Sequence, residues 1–208
     1  MEGVLMFEIG DAVVHPTRGG GVVMGIEELQ RRGESERYYE IKLLSQVRST
    51  LMIPVKRADE VGLRPATPQS EISRVWAVLR ADPEALPDDH RDRKGQLEQI
   101  LRTGDVIKLA ETVRDLGWRK KREDGLTIGG RRIFKRAIKL LASEIAATEN
   151  SALKESQIRI KACLRKSLSS SSAPTAEQGK AGEGPPICTA WQKGKTWLRQ
   201  ALDGGGSE

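Results

Sequence analysis

Residues 13–28 read VVHPTRGGGVVMGIEE: two short β-branched runs held apart by Pro16 and by three consecutive glycines, Gly19, Gly20 and Gly21. Short β-favouring runs cut by turn formers predict strands of a small, strongly bent module, not a helix. Working outward, residues 6–9 precede the turn pair Gly10-Asp11, and residues 12–15 and 22–26 flank the glycines. Residues 38–43, YYEIKL, and 49–55, STLMIPV, add two later strands, the first with the clearer alternation. Five strands over residues 1–65 can enclose only a small core. A glycine run can also cradle phosphate, but no Lys-Ser/Thr pair and no crossover helix follow it. The glycines are therefore read as a tight strand-to-strand bend with positive φ and close strand passage, and Gly25 as a bulge or close-packing position. Pro54 has no amide to give a ladder, which puts residues 51–55 at a sheet edge or a strand end. Such an edge is open to extension by a strand from another protein.

Beyond Pro65 and Pro68 the period changes to that of helices. Ile72, Val75, Trp76, Val78 and Leu79 fall largely on one face, Leu97, Ile100 and Leu101 on another, and Val106, Leu109, Ala110 and Val113 on a third, with Gly104 as the break and Asp105 as a cap. A long helix from about Thr127 to Ala147 buries Ile133, Ala137, Ile138, Leu141 and Ile145, and a last one from about Ala152 to Ser167 buries Leu153, Ile160, Cys163 and Leu164. The expected fold is thus two-domain, β plus all-α: a small bent β module, then a compact domain of four or five helices.

Charge divides the chain in the same way. Residues 1–65 carry a net −1, residues 66–166 a net +7 and residues 167–208 zero, and residues 118–139 alone hold nine Lys/Arg against two Asp/Glu. A polyanion partner for the middle segment follows as a candidate, since phosphate backbones are recognised by clustered cations. The run Arg119, Lys120, Lys121 and Arg122 cannot share one helix face, but at a helix end it can fan charge over phosphates. Basic residues in the first half of the long helix oppose its dipole, a small cost that fits a binding role.

Other classes find no support. No run of eighteen apolar residues exists to span a membrane, and the opening MEGVLMFEIGDAVV does not read as a secretion signal. Two cysteines and two histidines offer no zinc spacing, and the cysteines fit a reducing cytoplasm. Neither HExxH, a nucleophile elbow, a phosphate loop nor an acid pair is present, so no catalysis, metal or cofactor is expected.

The blocks at residues 13–28, 52–65 (MIPVKRADEVGLRP), 74–80 (RVWAVLR), 104–116 (GDVIKLAETVRDL) and 125–146 (GLTIGGRRIFKRAIKLLASEIA) together resemble the CarD/CdnL family of bacterial RNA polymerase-binding transcription factors. The resemblance implies a Tudor-like RNA polymerase-interacting domain at residues 1–65 and a basic helical DNA-contacting domain at 66–168. It implies docking on the polymerase β subunit through the strand edge Ser49, Thr50, Leu51, Met52, Ile53, Pro54 and Val55. Promoter DNA near the upstream edge of the bubble would meet Arg91, Arg93, Lys94, Arg119, Lys120, Arg131 and Arg132, with His90, Trp118, Lys121 and Lys135 completing that surface. The implied protein is a monomeric, cytoplasmic modulator of the open complex, associated with the nucleoid through the polymerase.

Two departures qualify the resemblance. Many members carry a tryptophan that wedges into the minor groove, whereas residues 88–94 read DDHRDRK. Trp118, beside the cationic run, is either a substitute wedge or a core residue. An adaptor that binds polymerase with weak or no DNA contact is the alternative function. Gly130 stands where the family commonly has the Glu of a capping box, so the long helix should fray at its start and Arg131 and Arg132 lack an acidic neighbour. Residues 169–208, rich in Ser, Ala, Gly and Pro around the apolar ICTAW and WL clusters, read as a disordered tail with a short apolar island.

Overall fold

The computed structural model describes residues 7–31, 34–45, 49–123 and 125–170. The strands β1 (Ala12–His15), β2 (Gly19–Arg31), β3 (Glu34–Leu43), β4 (Thr50–Pro54) and β5 (Arg64–Pro65) form one antiparallel sheet in the order β4-β3-β2-β1-β5. Alternation along β3 sends Tyr39, Ile41 and Leu43 into a core with Phe7, Val13, Val23 and Ile53. The register between β2 and β3 shifts between Val23 and Gly25, the bulge anticipated at Gly25, and it leaves Met24 half exposed.

The strand count matches expectation but one member differs. Residues 7–9 are not a strand: the backbone N–H of Phe7 donates to Tyr39 Oη at 3.1 Å and the two rings meet edge-to-face at 5.6 Å. Glu8 and Asp11 then close a turn through Gly10, whose φ is +98°. The fifth strand is instead the two-residue β5, paired with Val13 and Val14.

Five helices follow: α1 (Gln69–Arg80), α2 (His90–Thr103), α3 (Val106–Arg122), α4 (Ile128–Glu149) and α5 (Leu153–Ser170). Their starts are written in the sequence. Asp89 accepts from the N–H groups of Arg91 and Asp92, Asp105 from Ile107 and Lys108, and Thr127 from Gly130, each satisfying donors that a helix start leaves free. Gly104 and Asn150 close α2 and α4 in the left-handed conformation. The expected apolar stripes meet in one core, in which Leu109, Val113, Ala137, Leu141 and Ile145 are fully buried.

On α4 burial is not confined to a stripe. Every residue from Leu140 to Ala147 is buried, because α3 and α5 cover one side and β1 and β2 cover the other. The glycine run makes the second contact possible. A Cβ on Gly19 would lie 2.2 Å from Ser143 Oγ, and one on Gly20 would lie 2.3 Å from the Ser143 carbonyl oxygen. The close passage assigned to strand against strand therefore holds for Gly21, which faces Ile41 and Lys42, whereas Gly19 and Gly20 serve strand against helix. The Gly20 N–H donates to Ser143 Oγ at 2.9 Å.

A charged bond fastens the same junction. Glu144, 1 % exposed in its side chain, receives Arg64 from β5 in a two-pronged pair at 2.7 and 3.1 Å and also the Thr67 hydroxyl. Arg64 donates further to the Gly104 carbonyl at 2.9 Å, and Thr148 donates to the carbonyl of Thr67 at 2.7 Å. Satisfying a buried carboxylate with three donors is what makes its burial tolerable. Residues 171–208, on which the expectations for the tail and its apolar island fall, lie outside the described residues.

Candidate functional site

The first candidate surface is the strand edge at residues 49–55. β4 pairs with β3 from Thr50 to Pro54 and stands at one end of the sheet, with no strand on its other side among the described residues. Its seven candidate residues do not act alike. Ile53 is buried, and Leu51 and Val55 pack against the same core. Strand periodicity turns these alternate side chains toward the core, Ile53 fully and Leu51 and Val55 in part. Ser49 and Thr50 are exposed, and Met52 and Pro54, half-buried, alternate with the core-facing residues.

The second is a cleft where three helix ends meet. His90, Arg93 and Lys94 from α2, Arg119 and Glu123 from the end of α3, and Thr127, Gly129 and Gly130 at the start of α4 line it. The cationic run does sit at a helix end, occupying the last turn of α3, where the carbonyl end of the dipole favours it. The first turn of α4 holds no acid, so the partial positive charge of its free N–H groups adds to the local field. At α2, by contrast, the backbone N–H groups of Asp92 and Arg91 hold the Asp89 carboxyl below its ordinary range, and Asp92 adds a second acid to the first turn.

Within this surface the cations divide into two sets. Arg93 donates to the carbonyls of Pro87 and Asp88 at 2.6 and 3.0 Å, fixing the loop before α2. Arg119 grips Glu123 through two bonds of 2.8 Å, and Lys121 reaches the Leu168 carbonyl and the Trp118 ring. All three thus have partners within the fold. Arg91, Lys120, Arg131, Arg132 and Lys135 are exposed and have no ion-pair partner among the described residues; Lys94 has only a loose one, Glu98 at 3.9 Å. His90 is exposed at the first position of α2.

Trp118, for which a core place and a wedge were both open, is 8 % exposed, with Lys121 Nζ 5.8 Å from its ring centroid. Trp76, on α1, is half-buried under the Arg159 guanidinium at 4.9 Å. Neither tryptophan among the described residues stands out as a wedge. Among those residues, no group of His, Cys, Asp and Glu side chains is placed to hold a metal ion, and no helix is long and apolar enough to cross a membrane.

Sequence reasoning missed the junction residues. Arg64, Ser143 and Glu144 lie inside the blocks that carry the resemblance, but neither they nor Thr67 were singled out, and only Gly19 and Gly20 announced a close approach without naming its partner.

Comparison with known proteins agrees with this layout. Residues 7–67 match the CarD-like/TRCF RID domain and residues 74–161 the CarD C-terminal domain. YdeB of Bacillus subtilis (strain 168) is 30 % identical over 154 residues, covering 74 % of this chain and 98 % of that protein.

Proposed function

Since the chain belongs to the CarD family of non-catalytic, RNA polymerase-binding transcription regulators, we propose that it docks on the polymerase β subunit through the outer edge of β4 and steadies the promoter open complex through backbone contacts to DNA. The observation that carries this reading is the pairing, on one body, of a strand edge and a cluster of exposed cations at the helix ends that, among the described residues, have no strand partner and no close ion-pair partner respectively. The edge supplies main-chain hydrogen bonds in a fixed register to an incoming strand, with Thr50 and Met52 as the selective side chains. Arg91, Lys94, Lys120, Arg131, Arg132 and Lys135 supply phosphate neutralisation, which positions the protein on DNA without reading bases. By holding DNA next to the bubble, such contacts favour whichever polymerase state presents that DNA.

A pull-down tests the docking half. Thr50→Glu with Met52→Glu should abolish capture of the β subunit while leaving the thermal transition unchanged; retained capture refutes the edge. The second reading, an adaptor with weak or no DNA contact, is favoured by the absence of an exposed indole at residues 88–94 and by burial of Trp118. Forked promoter DNA distinguishes the two: an affinity gain in the presence of polymerase that decays with salt supports the DNA reading, and polymerase affinity without that gain supports the adaptor.

A further inference from the structure

The turn between β1 and β2 carries Arg18 to a second open cleft, whose other walls are α2 and α4. Thr17 and Arg18 come from the turn, Glu98 and Arg102 from α2, and Arg132 and Arg136 from α4. Arg132 and Arg136 are one helical turn apart, which sets them on one face. All four arginines are exposed, and none has an ion-pair partner among the described residues. Glu98 is the single carboxylate of the lining, and it lies 3.9 Å from Lys94. The field is felt locally: after burial, the charge of Arg18 is the next cause that pushes the His15 imidazole below its ordinary pKa.

The turn that presents Arg18 is firmly held. Its amide donates to the His15 carbonyl at 3.2 Å, and its own carbonyl receives the Ser45 hydroxyl at 3.1 Å. Pro16 lies so close to Gly104 that a Cβ there would sit 2.7 Å from the proline Cα. Arg18 is thereby fixed against the end of α2 that bears Arg102.

We propose that Arg18, Arg102, Arg132 and Arg136 form a binding cleft for the phosphodiester backbone of DNA, so that the β module holds nucleic acid together with the helical domain. Guanidinium forks match phosphate oxygens in pairs, and cations spread over three elements of an open cleft fit successive phosphates of a strand better than a single small anion. The inference rests on the DNA contact proposed above and extends it across the junction.

The test is the salt dependence of binding between the full-length protein and a fluorescein-labelled forked duplex, read by anisotropy over a potassium chloride series. Arg18→Gln with Arg102→Gln should leave the thermal transition in place and flatten the slope of log affinity against log salt by about 1.8, at about 0.9 per lost phosphate contact. Arg91→Gln with Arg131→Gln is the companion for the helix-end surface. An unchanged slope in the first variant with a flattened one in the companion overturns the cleft and leaves the DNA reading intact; no change in either overturns both. Inorganic phosphate is the small-anion probe. If it raises the melting temperature of the parent but not of the first variant, while the DNA slope stays put, the cleft binds small anions and the proposal fails.

Discussion

Replacing Gly20 by alanine adds one methyl group at the tightest point of the junction. That carbon would lie 2.3 Å from the Ser143 carbonyl oxygen and 2.8 Å from its carbonyl carbon, where ordinary contact begins at 3.4 Å. The shortfall of 1.1 Å is against helix backbone, which cannot rotate aside as a side chain can, so β2 and α4 must separate. Separation strains the bond from the Gly20 N–H to Ser143 Oγ. Overpacking of this kind and one weakened buried hydrogen bond together cost about 3 kcal/mol, which lowers the melting temperature by roughly 6–12 °C for a chain of this size. Gly129 is the internal control. An added Cβ there meets nothing within 4 Å, and it sits in the first turn of α4, so alanine should stabilise by about 0.5–1 kcal/mol through helix propensity alone. Differential scanning calorimetry on both variants decides the matter. If Gly20→Ala melts with the parent, or if both substitutions shift the transition the same way, the close approach of strand and helix is not what the glycine run provides.

Two more predictions follow from the charged groups of the fold. Arg64→Ala strips Glu144 of its two-pronged partner while leaving the carboxylate buried, and should cost about 3 kcal/mol, the low end for a broken buried pair because Arg64 keeps some contact with water; a urea midpoint that does not move would refute it. His15 has its pKa lowered, first by burial and then by Arg18. The unfolded chain then takes up a proton near the ordinary value of 6.5 while the native state declines it, so stability falls as pH drops from about 6.5 to the native pKa and levels off below it. An NMR titration of the His15 ring with a midpoint at or above 6.5 would contradict that sign.

Local chemistry was the legible part. Asp105 and Thr127 cap as their types and spacing require, Gly104 breaks the chain between helices, Gly25 marks the bulge, and the apolar stripes of α1 to α5 find one core. Long-range partners were not legible. Gly20 and Ser143 stand 123 positions apart, and nothing near either names the other. Glu144 sits in a stretch that reads as the solvent side of an amphipathic helix until a second layer covers it. The same holds at the candidate site: sequence reports that Arg93, Arg119 and Lys121 are cations, but not which carbonyls and carboxylates folding brings to them. Arg18 and Arg102 escaped notice because each is isolated in the sequence and joins a cluster only when the β1–β2 turn packs against α2.

The all-round burial of α4 bears on how such a protein can be taken apart. A fragment ending before α1 would lose the surface that covers Gly19 and Gly20, and one beginning at α1 would bare Leu140, Ser143 and Ala147 along a helix meant to be sheathed. Grafting a foreign sheet onto these helices meets the same obstacle, because the fit between the Gly20 backbone and the Ser143 carbonyl must be kept as a matched set. Shuffling at the boundary therefore selects for compatible pairs, not for interchangeable parts.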